Sequence, residues 1–407
     1  MDLEKIILKK SIGLSLSKEE LTYAFNGYLL KKITDKEMTL LLKAICKNDM
    51  SDRETIDLVD IYINSGEKLN LNEIKGIKVD KHSTGGIGDK TSLIIGPIIA
   101  ALGLKFVKMS GRGLGYTGGT IDKLESIPGF NVSLTKEEII KQVNDIGMVI
   151  TSQTENLVPL DKKIYALRDV TNTTKSIPLI AASIMSKKIV TGTSNVVIDI
   201  KVGSGALIED MANAKRLSSL MIEIAKKYNI KVITIISDMD TPLGDNVGNA
   251  LEVIEAIEVL KGKKGKLRDL CVNLAASLIS LGKNIDINQA NKLVLEVLNN
   301  GSAYNKYLEF IEYQGGNVKN IKISDRVNLI KASKEGTITE INALEVGKLV
   351  LEMGAGRKTK ESNIDYGVGI KFKKHIGDKV NIGDIIMELY LAHSNFLYDI
   401  NKIITIK

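Results

Sequence analysis

Two glycine-rich stretches constrain this chain more than anything else in it. Residues 81–92 read Lys-His-Ser-Thr-Gly-Gly-Ile-Gly-Asp-Lys-Thr-Ser, and residues 110–125 read Ser-Gly-Arg-Gly-Leu-Gly-Tyr-Thr-Gly-Gly-Thr-Ile-Asp-Lys-Leu-Glu. Each follows a short apolar run and precedes a helix-like stretch, so each is expected to turn backbone N–H groups and hydroxyls toward an anion at a helix N-terminus. Glycine allows backbone to approach a ligand closely, Ser and Thr hydroxyls donate to phosphate oxygens, and Lys81 adds a point charge. The pattern is that of a phosphate site. Taken singly, each of these Ser and Thr residues is better explained as a helix cap or turn residue.

The rest of the chain supports an α/β reading. Short β-rich runs at 76–80, 106–109, 148–151, 196–202 and 232–236 alternate with helical stretches, which predicts a mostly parallel sheet. Ahead of them stand three capping boxes, Ser17 with Glu20, Thr34 with Glu37, and Ser51 with Glu54, each leading into apolar residues at helical spacing. A fourth, Thr135 with Glu138, opens a helix expected to cover the sheet, as is the helix from Asp210 to Tyr228. Beyond residue 330, Gly-Thr-Ile-Thr-Glu-Ile and Gly-Val-Gly-Ile-Lys-Phe predict a small β-rich domain with one helix, about Leu344 to Met353. The expected organisation is a helical domain of residues 1–67 and 156–192, an α/β phosphate-binding domain of 68–155 and 193–330, and a C-terminal β-rich domain of 331–407.

Composition narrows the classes. At 407 residues the chain exceeds a single core, and 44% hydrophobic with 26% charged residues is ordinary for a globular protein. The net charge of +7, from 56 Lys and Arg against 49 Asp and Glu, comes from lysines scattered among acids, without an Arg-rich block. That argues for a solvated surface and against nucleic acid as a partner. Cys46 and Cys271 lack metal-ligand spacing and suggest a reducing, cytoplasmic setting, and no signal or membrane-spanning stretch is evident.

The two loops resemble the thymidine and pyrimidine-nucleoside phosphorylase family, whose signature is Ser-Gly-Arg-Gly-Leu followed by Thr-Gly-Gly-Thr, an Asp and Leu-Glu. The resemblance continues through Tyr165-Ala-Leu-Arg168-Asp, Ser183-Ile-Met-Ser-Lys187-Lys, Asp199-Ile-Lys-Val-Gly-Ser-Gly205 and Pro242-Leu-Gly, in the family's order. It implies phosphorolysis of pyrimidine nucleosides with inorganic phosphate as the attacking group, no organic cofactor, and a homodimer assembled through the N-terminal helices. Phosphate would lie among Lys81, His82, Ser83, Ser92, Lys108, Met109, Ser110 and Thr120. The base would lie among Tyr165, Arg168, Ile180, Ser183 and Lys187, with His82, Arg168 and Lys187 as the catalytic groups. Lys108 stands where the broad-specificity branch tends to carry Lys, which implies that uridine, deoxyuridine and thymidine are all substrates. A lysine at the rim of the phosphate loop is expected to reach a sugar hydroxyl or a phosphate oxygen.

That branch also binds a potassium-like cation, through positions matching Gly88, Lys90, Leu243, Asn246 and Glu255. Here position 90 is Lys in place of the usual small hydroxyl residue, so an ammonium stands to replace or weaken the ion. Tyr116 replaces a His common in the family. His375 and His393 are expected to be structural or exposed. The C-terminal tail resembles a biotinyl-like barrel-sandwich without the Met-Lys acceptor of a carrier. Alternatives are a thymidine-specific phosphorylase and an anthranilate-phosphoribosyltransferase-like enzyme of the same fold, which would require acidic Mg²⁺ ligands.

Overall fold

The computed structural model describes residues 1–113, 115–154, 156–359, 362–392 and 398–407. Leu114 of the second glycine-rich loop and His393 lie outside the described residues. The chain divides into two compact units, one of residues 1–73, 154–196 and 210–234, the other of 74–153, 197–209 and 235–407.

The first unit is helical. All three N-terminal capping boxes form, with the Ser17, Thr34 and Ser51 hydroxyls accepting from the third backbone N–H of helices Lys18–Leu29, Asp35–Asn48 and Asp52–Ile63, and the glutamates reaching back. These helices bury apolar stripes that include Leu21, Phe25, Tyr28, Leu58 and Tyr62. Helices Pro159–Val170 and Ile177–Val190 join them. Helix Met211–Lys227 packs against Ile177–Val190 and Asp52–Ile63, and its Ser218 hydroxyl is hydrogen-bonded to Thr234 of the run expected as a strand over 232–236. Its stripe of Ala214, Leu217, Leu220, Met221 and Ile224 is buried as its period demands, but an amphipathic period does not specify a partner.

A five-stranded sheet, most of it in the second unit, consists of β1 (Lys78–Ser83), β2 (Lys105–Ser110), β3 (Met148–Ser152), β4 (Asn195–Val202) and β5 (Lys231–Asp238), in the order β3-β2-β1-β4-β5. The registers of β1 on β2 and of β2 on β3 are parallel. The chain passes between the units within β4 and within β5. Helix Thr91–Ala101 is apolar all round and packs between strands and the helices Lys266–Lys283 and Ser302–Tyr313, which explains why each of residues 91–100 is buried. Helix Lys136–Ile146, opened by the Thr135 and Glu138 box, lies against β2 and β3.

The C-terminal residues belong to this second unit and form antiparallel sheets with one helix, Ala343–Glu352. One of these sheets takes in a short strand from the α/β region: Asn246 and Val247 pair with Lys371 and Ile370. Among the described residues no single helix is long and apolar enough to cross a membrane.

Candidate active site

In an open sheet with this strand order the direction of winding reverses beside the first strand, and ligands bind beyond the carboxyl ends of the strands there. Both glycine-rich loops leave from that edge. Lys81, His82 and Ser83 are the last three residues of β1, and Lys108, Met109 and Ser110 are the last three of neighbouring β2. Ser92 lies in the first turn of helix Thr91–Ala101, and Thr120 opens helix Thr120–Glu125. The fold therefore brings all eight residues of the phosphate set to one end of the sheet.

Lys81 is fully buried. Its Nζ donates to Thr91 Oγ1 at 2.5 Å and stands 3.9 Å from Asp89 and 3.8 Å from Asp199. Lys201 is the second cation of this cluster: its Nζ is 2.7 Å from Asp199 Oδ2 and donates to Ser237 Oγ, which itself donates to Asp199. Burial alone would raise the Asp89 carboxyl, but Lys81, Lys201 and the Ser83 and Thr91 hydroxyls hold it well below the usual range. Burial likewise opposes charge on Lys201, and Asp89 and Asp199 override it and raise its pKa. Two lysines and two aspartates thus balance one another beneath the loop. β4 also fastens the loop through its backbone, since Thr84 N donates to Asp199 O and Lys201 N to Thr84 Oγ1. Sequence reasoning misses Asp89, Asp199 and Lys201 as partners of Lys81 in this cluster. The alternation Asp199-Ile-Lys201, which puts both side chains on one face of a strand, is the signal that could have found two of them.

Lys108 is not at the rim, where its reach toward a sugar hydroxyl is expected. It is buried, and its Nζ donates to the Lys81 carbonyl at 2.7 Å. A long side chain on β2 that turns inward meets the backbone of the adjacent strand before it meets solvent. His82 and Ser83 are half-buried, and Met109 is buried.

Asp122 anchors the second loop. Its carboxylate accepts from Gly113 N at 2.6 Å and from Arg357 Nη1 at 2.5 Å, while the Arg357 carbonyl accepts from Gly115 N. Arg112 pairs with Glu125. Tyr116 is exposed, and His375, half-exposed, lies 3.3 Å from Asp245.

The base set lies in the helical unit. Ser183 and Lys187 sit one turn apart on helix Ile177–Val190; Lys187 Nζ donates to Ser183 Oγ at 3.0 Å and stands 2.6 Å from the buried Asp161. Arg168 is only 1% exposed, and burial lowers its pKa. Two of its nitrogens donate to the Thr173 and Thr174 carbonyls, at 3.1 and 2.8 Å. The guanidinium therefore spends part of its hydrogen-bonding capacity on the turn that follows its own helix. Tyr165 is half-exposed and Ile180 is buried.

The cation set is brought together, but not around a metal ion. Lys90 Nζ itself donates to the Leu243 and Asn246 carbonyls, both at 2.8 Å, and lies 2.6 Å from Glu255 Oε2. Gly88 passes close by, with φ of +77° and room for no Cβ, which would fall 2.6 Å from Leu243 O. These residues do not fit a potassium-like ion, because the ammonium takes the oxygens that would hold it. Among the described residues no group of three or more His, Cys, Asp or Glu side chains is placed to hold a metal ion.

Comparison with known proteins gives the family. Residues 75–304 match the family described as glycosyl transferase family, a/b domain, and residues 337–406 match the pyrimidine nucleoside phosphorylase C-terminal domain. The pyrimidine-nucleoside phosphorylase of Staphylococcus epidermidis (strain ATCC 12228) is 44% identical over 413 residues, covering 99% of this chain and 95% of the relative. That of Bacillus subtilis (strain 168) is 45% identical over 403 residues, covering 97% and 93%. That of Geobacillus stearothermophilus is 43% identical over 398 residues, covering 96% and 92%. Among solved structures, anthranilate phosphoribosyltransferase from Thermus thermophilus superimposes with a TM-score of 0.60 at 15% identity, over 76% of this chain and 99% of that one, a likeness of fold alone. With identity above two-fifths over nearly its whole length, and with the family's own C-terminal domain, the chain belongs to the pyrimidine-nucleoside phosphorylase family.

Proposed function

We propose that the chain catalyses the reversible phosphorolysis of uridine, deoxyuridine and thymidine to the free base and α-D-ribose or 2-deoxyribose 1-phosphate. The observation that carries this reading is the gathering of Lys81, Ser83, Ser92, Ser110 and Thr120 at the carboxyl ends of two adjacent strands, in a chain whose relatives bear that name. An oxygen of phosphate attacks C1′ from the face opposite the base and the C1′–N1 bond breaks, so the configuration inverts. The bonding pair leaves with the base as negative charge on N1, O2 and O4, which is then protonated. Hydroxyls and backbone N–H groups of the loops hold the attacking anion, and this orientation is the larger part of the catalysis. Lys187 and Arg168 stabilise the leaving base more than the bound nucleoside, and His82 hydrogen-bonds or protonates its O2.

Phosphate dependence is the decisive test. Incubated with uridine, deoxyuridine or thymidine, the enzyme is expected to release uracil or thymine in phosphate buffer and to leave all three intact without phosphate. Free ribose formed without phosphate would mean hydrolysis, and activity on thymidine alone would select the thymidine-specific alternative.

We further propose a homodimer formed through the N-terminal helices, whose surface shows Leu8, Ile12, Leu14, Leu30 and Leu40. Light scattering is expected to give twice the chain mass of 44.5 kDa. An active, monodisperse monomer would disprove it.

A further inference from the structure

The ammonium of Lys90 sits where the surrounding oxygens form a cation site in their own right. Two main-chain carbonyls and one carboxylate converge on it at 2.6 to 2.8 Å, and the side chains of Lys90 and Glu255 are 0% and 2% exposed. Three oxygens match the three N–H donors of an ammonium; a monovalent metal ion in the same place would use them as part of a larger oxygen shell. Burial would raise the Glu255 carboxyl, yet Lys90 and the Asp245 and Asn246 backbone N–H groups keep it below its usual range. Glu255 is therefore ionised; Lys90 meets one of its oxygens, and Lys263, itself paired with Asp245 and Glu258, stands 3.5 Å from the other, so the cluster already carries cations enough for its carboxylates. A metal ion added beside Lys90 would leave a buried surplus charge, which is strongly unfavourable.

The position of this pair gives it consequence. Lys90 is the N-cap of helix Thr91–Ala101 and closes the segment that begins at Lys81. Its two carbonyl partners belong to the segment 243–246, which is held to the glycine-rich loop by Leu243 N donating to Ile87 O and to the C-terminal sheet by the pairing of Asn246 with Lys371. Glu255 stands on helix Asn249–Leu260. One buried cation thus joins the first glycine-rich loop, the 243–246 turn and that helix.

We propose that Lys90 is a tethered cation that takes the place of a monovalent metal ion, so that this loop is shaped without potassium, and that shortening Lys90 turns the protein into a potassium-dependent one. The structural claim stands apart from the proposed reaction; only its kinetic arm rests on phosphorolysis.

The test compares the intact protein with Lys90→Thr and Lys90→Met in potassium chloride and in choline chloride at equal ionic strength. Melting temperature and phosphorolysis are both measured. The wild-type protein is expected to melt at the same temperature in both salts. Lys90→Thr, which opens the site and supplies a hydroxyl, is expected to melt roughly 5 °C or more lower in choline and to recover most of that loss in potassium. Its kcat/KM is expected to fall at least about tenfold in choline and to return to within about threefold of wild type in potassium. Lys90→Met, which fills the space with an apolar side chain, is expected to stay low in both salts. A wild-type melting temperature that rises with potassium would overturn the proposal, and so would a Lys90→Thr protein indifferent to potassium or unfolded in both salts. If melting follows the expectation while no nucleoside is cleaved, the proposed reaction fails and the tethered cation stands.

Discussion

Replacing Lys187 by alanine is expected to lower kcat/KM for uridine by at least about 100-fold, a loss of roughly 3 kcal/mol of transition-state stabilisation. The charge that appears on the base as C1′–N1 breaks is the charge Lys187 is proposed to meet. Its side chain is 21% exposed, and Ser183 Oγ at 3.0 Å and Asp161 at 2.6 Å fix the direction of its ammonium. Alanine does more than remove a cation. It leaves the Asp161 carboxylate, 1% exposed, without its cation, and a base bound beside Lys187 as proposed would be repelled by it as negative charge develops. The double variant Lys187→Ala with Asp161→Asn should therefore be more active than Lys187→Ala alone, an interaction that a double-mutant cycle reads directly. The phosphate KM should change little in either. Arg168 is a poorer probe, because it holds the Thr173 and Thr174 carbonyls from a buried position and its loss would unsettle that turn as well as the proposed base site. Lys187→Ala kinetics within about threefold of wild type would place the base-stabilising charge elsewhere.

What can be read from the sequence follows the range over which each signal acts. Capping boxes are local, three residues apart, and all four form as expected. The five strands of the sheet lie within a few residues of their expected places, because short β-rich runs bounded by glycine and polar turns carry their own boundaries. The glycine-rich loops announce themselves by composition. Partners are harder to read. The stripe on Met211–Lys227 shows a buried face, not the helix that covers it. A lysine in sequence looks exposed, which puts Lys108 at a rim, whereas its ammonium reaches the Lys81 carbonyl 27 residues away. Lys90 is paired with residues more than 150 positions distant, and the resemblance to a cation site is the only hint of them. The Lys81, Asp89, Asp199 and Lys201 cluster draws on two strands and a loop, so no single window of sequence contains it.

Gly119→Ala is expected to disable the second loop, lowering kcat/KM at least about 100-fold and raising the phosphate KM, with the melting temperature falling by no more than about 3 °C. The glycine is not needed for its torsions, since φ of −88° and ψ of 147° suit any residue. It is needed for space. A Cβ there would lie 2.1 Å from Gly113 N, 2.5 Å from the Arg112 carbonyl carbon and 2.7 Å from Asp122 Oδ2. The first and last of these atoms form the hydrogen bond, 2.6 Å long, that folds the loop onto helix Thr120–Glu125. Asp122 cannot retreat to make room, because Arg357 holds its other oxygen and the side chain is 2% exposed. The loop must move instead, and Ser110 and Thr120 at its two ends move with it. Donors displaced by even about 1 Å no longer meet the attacking anion, which is the kind of loss that costs two orders of magnitude in rate. The hydrophobic core lies elsewhere, on Ile121 and Leu124 and the helices behind them, so the fold should persist. Steady-state kinetics with phosphate as the varied substrate decides the matter: an unchanged phosphate KM in a folded Gly119→Ala protein would mean that this loop does not hold phosphate.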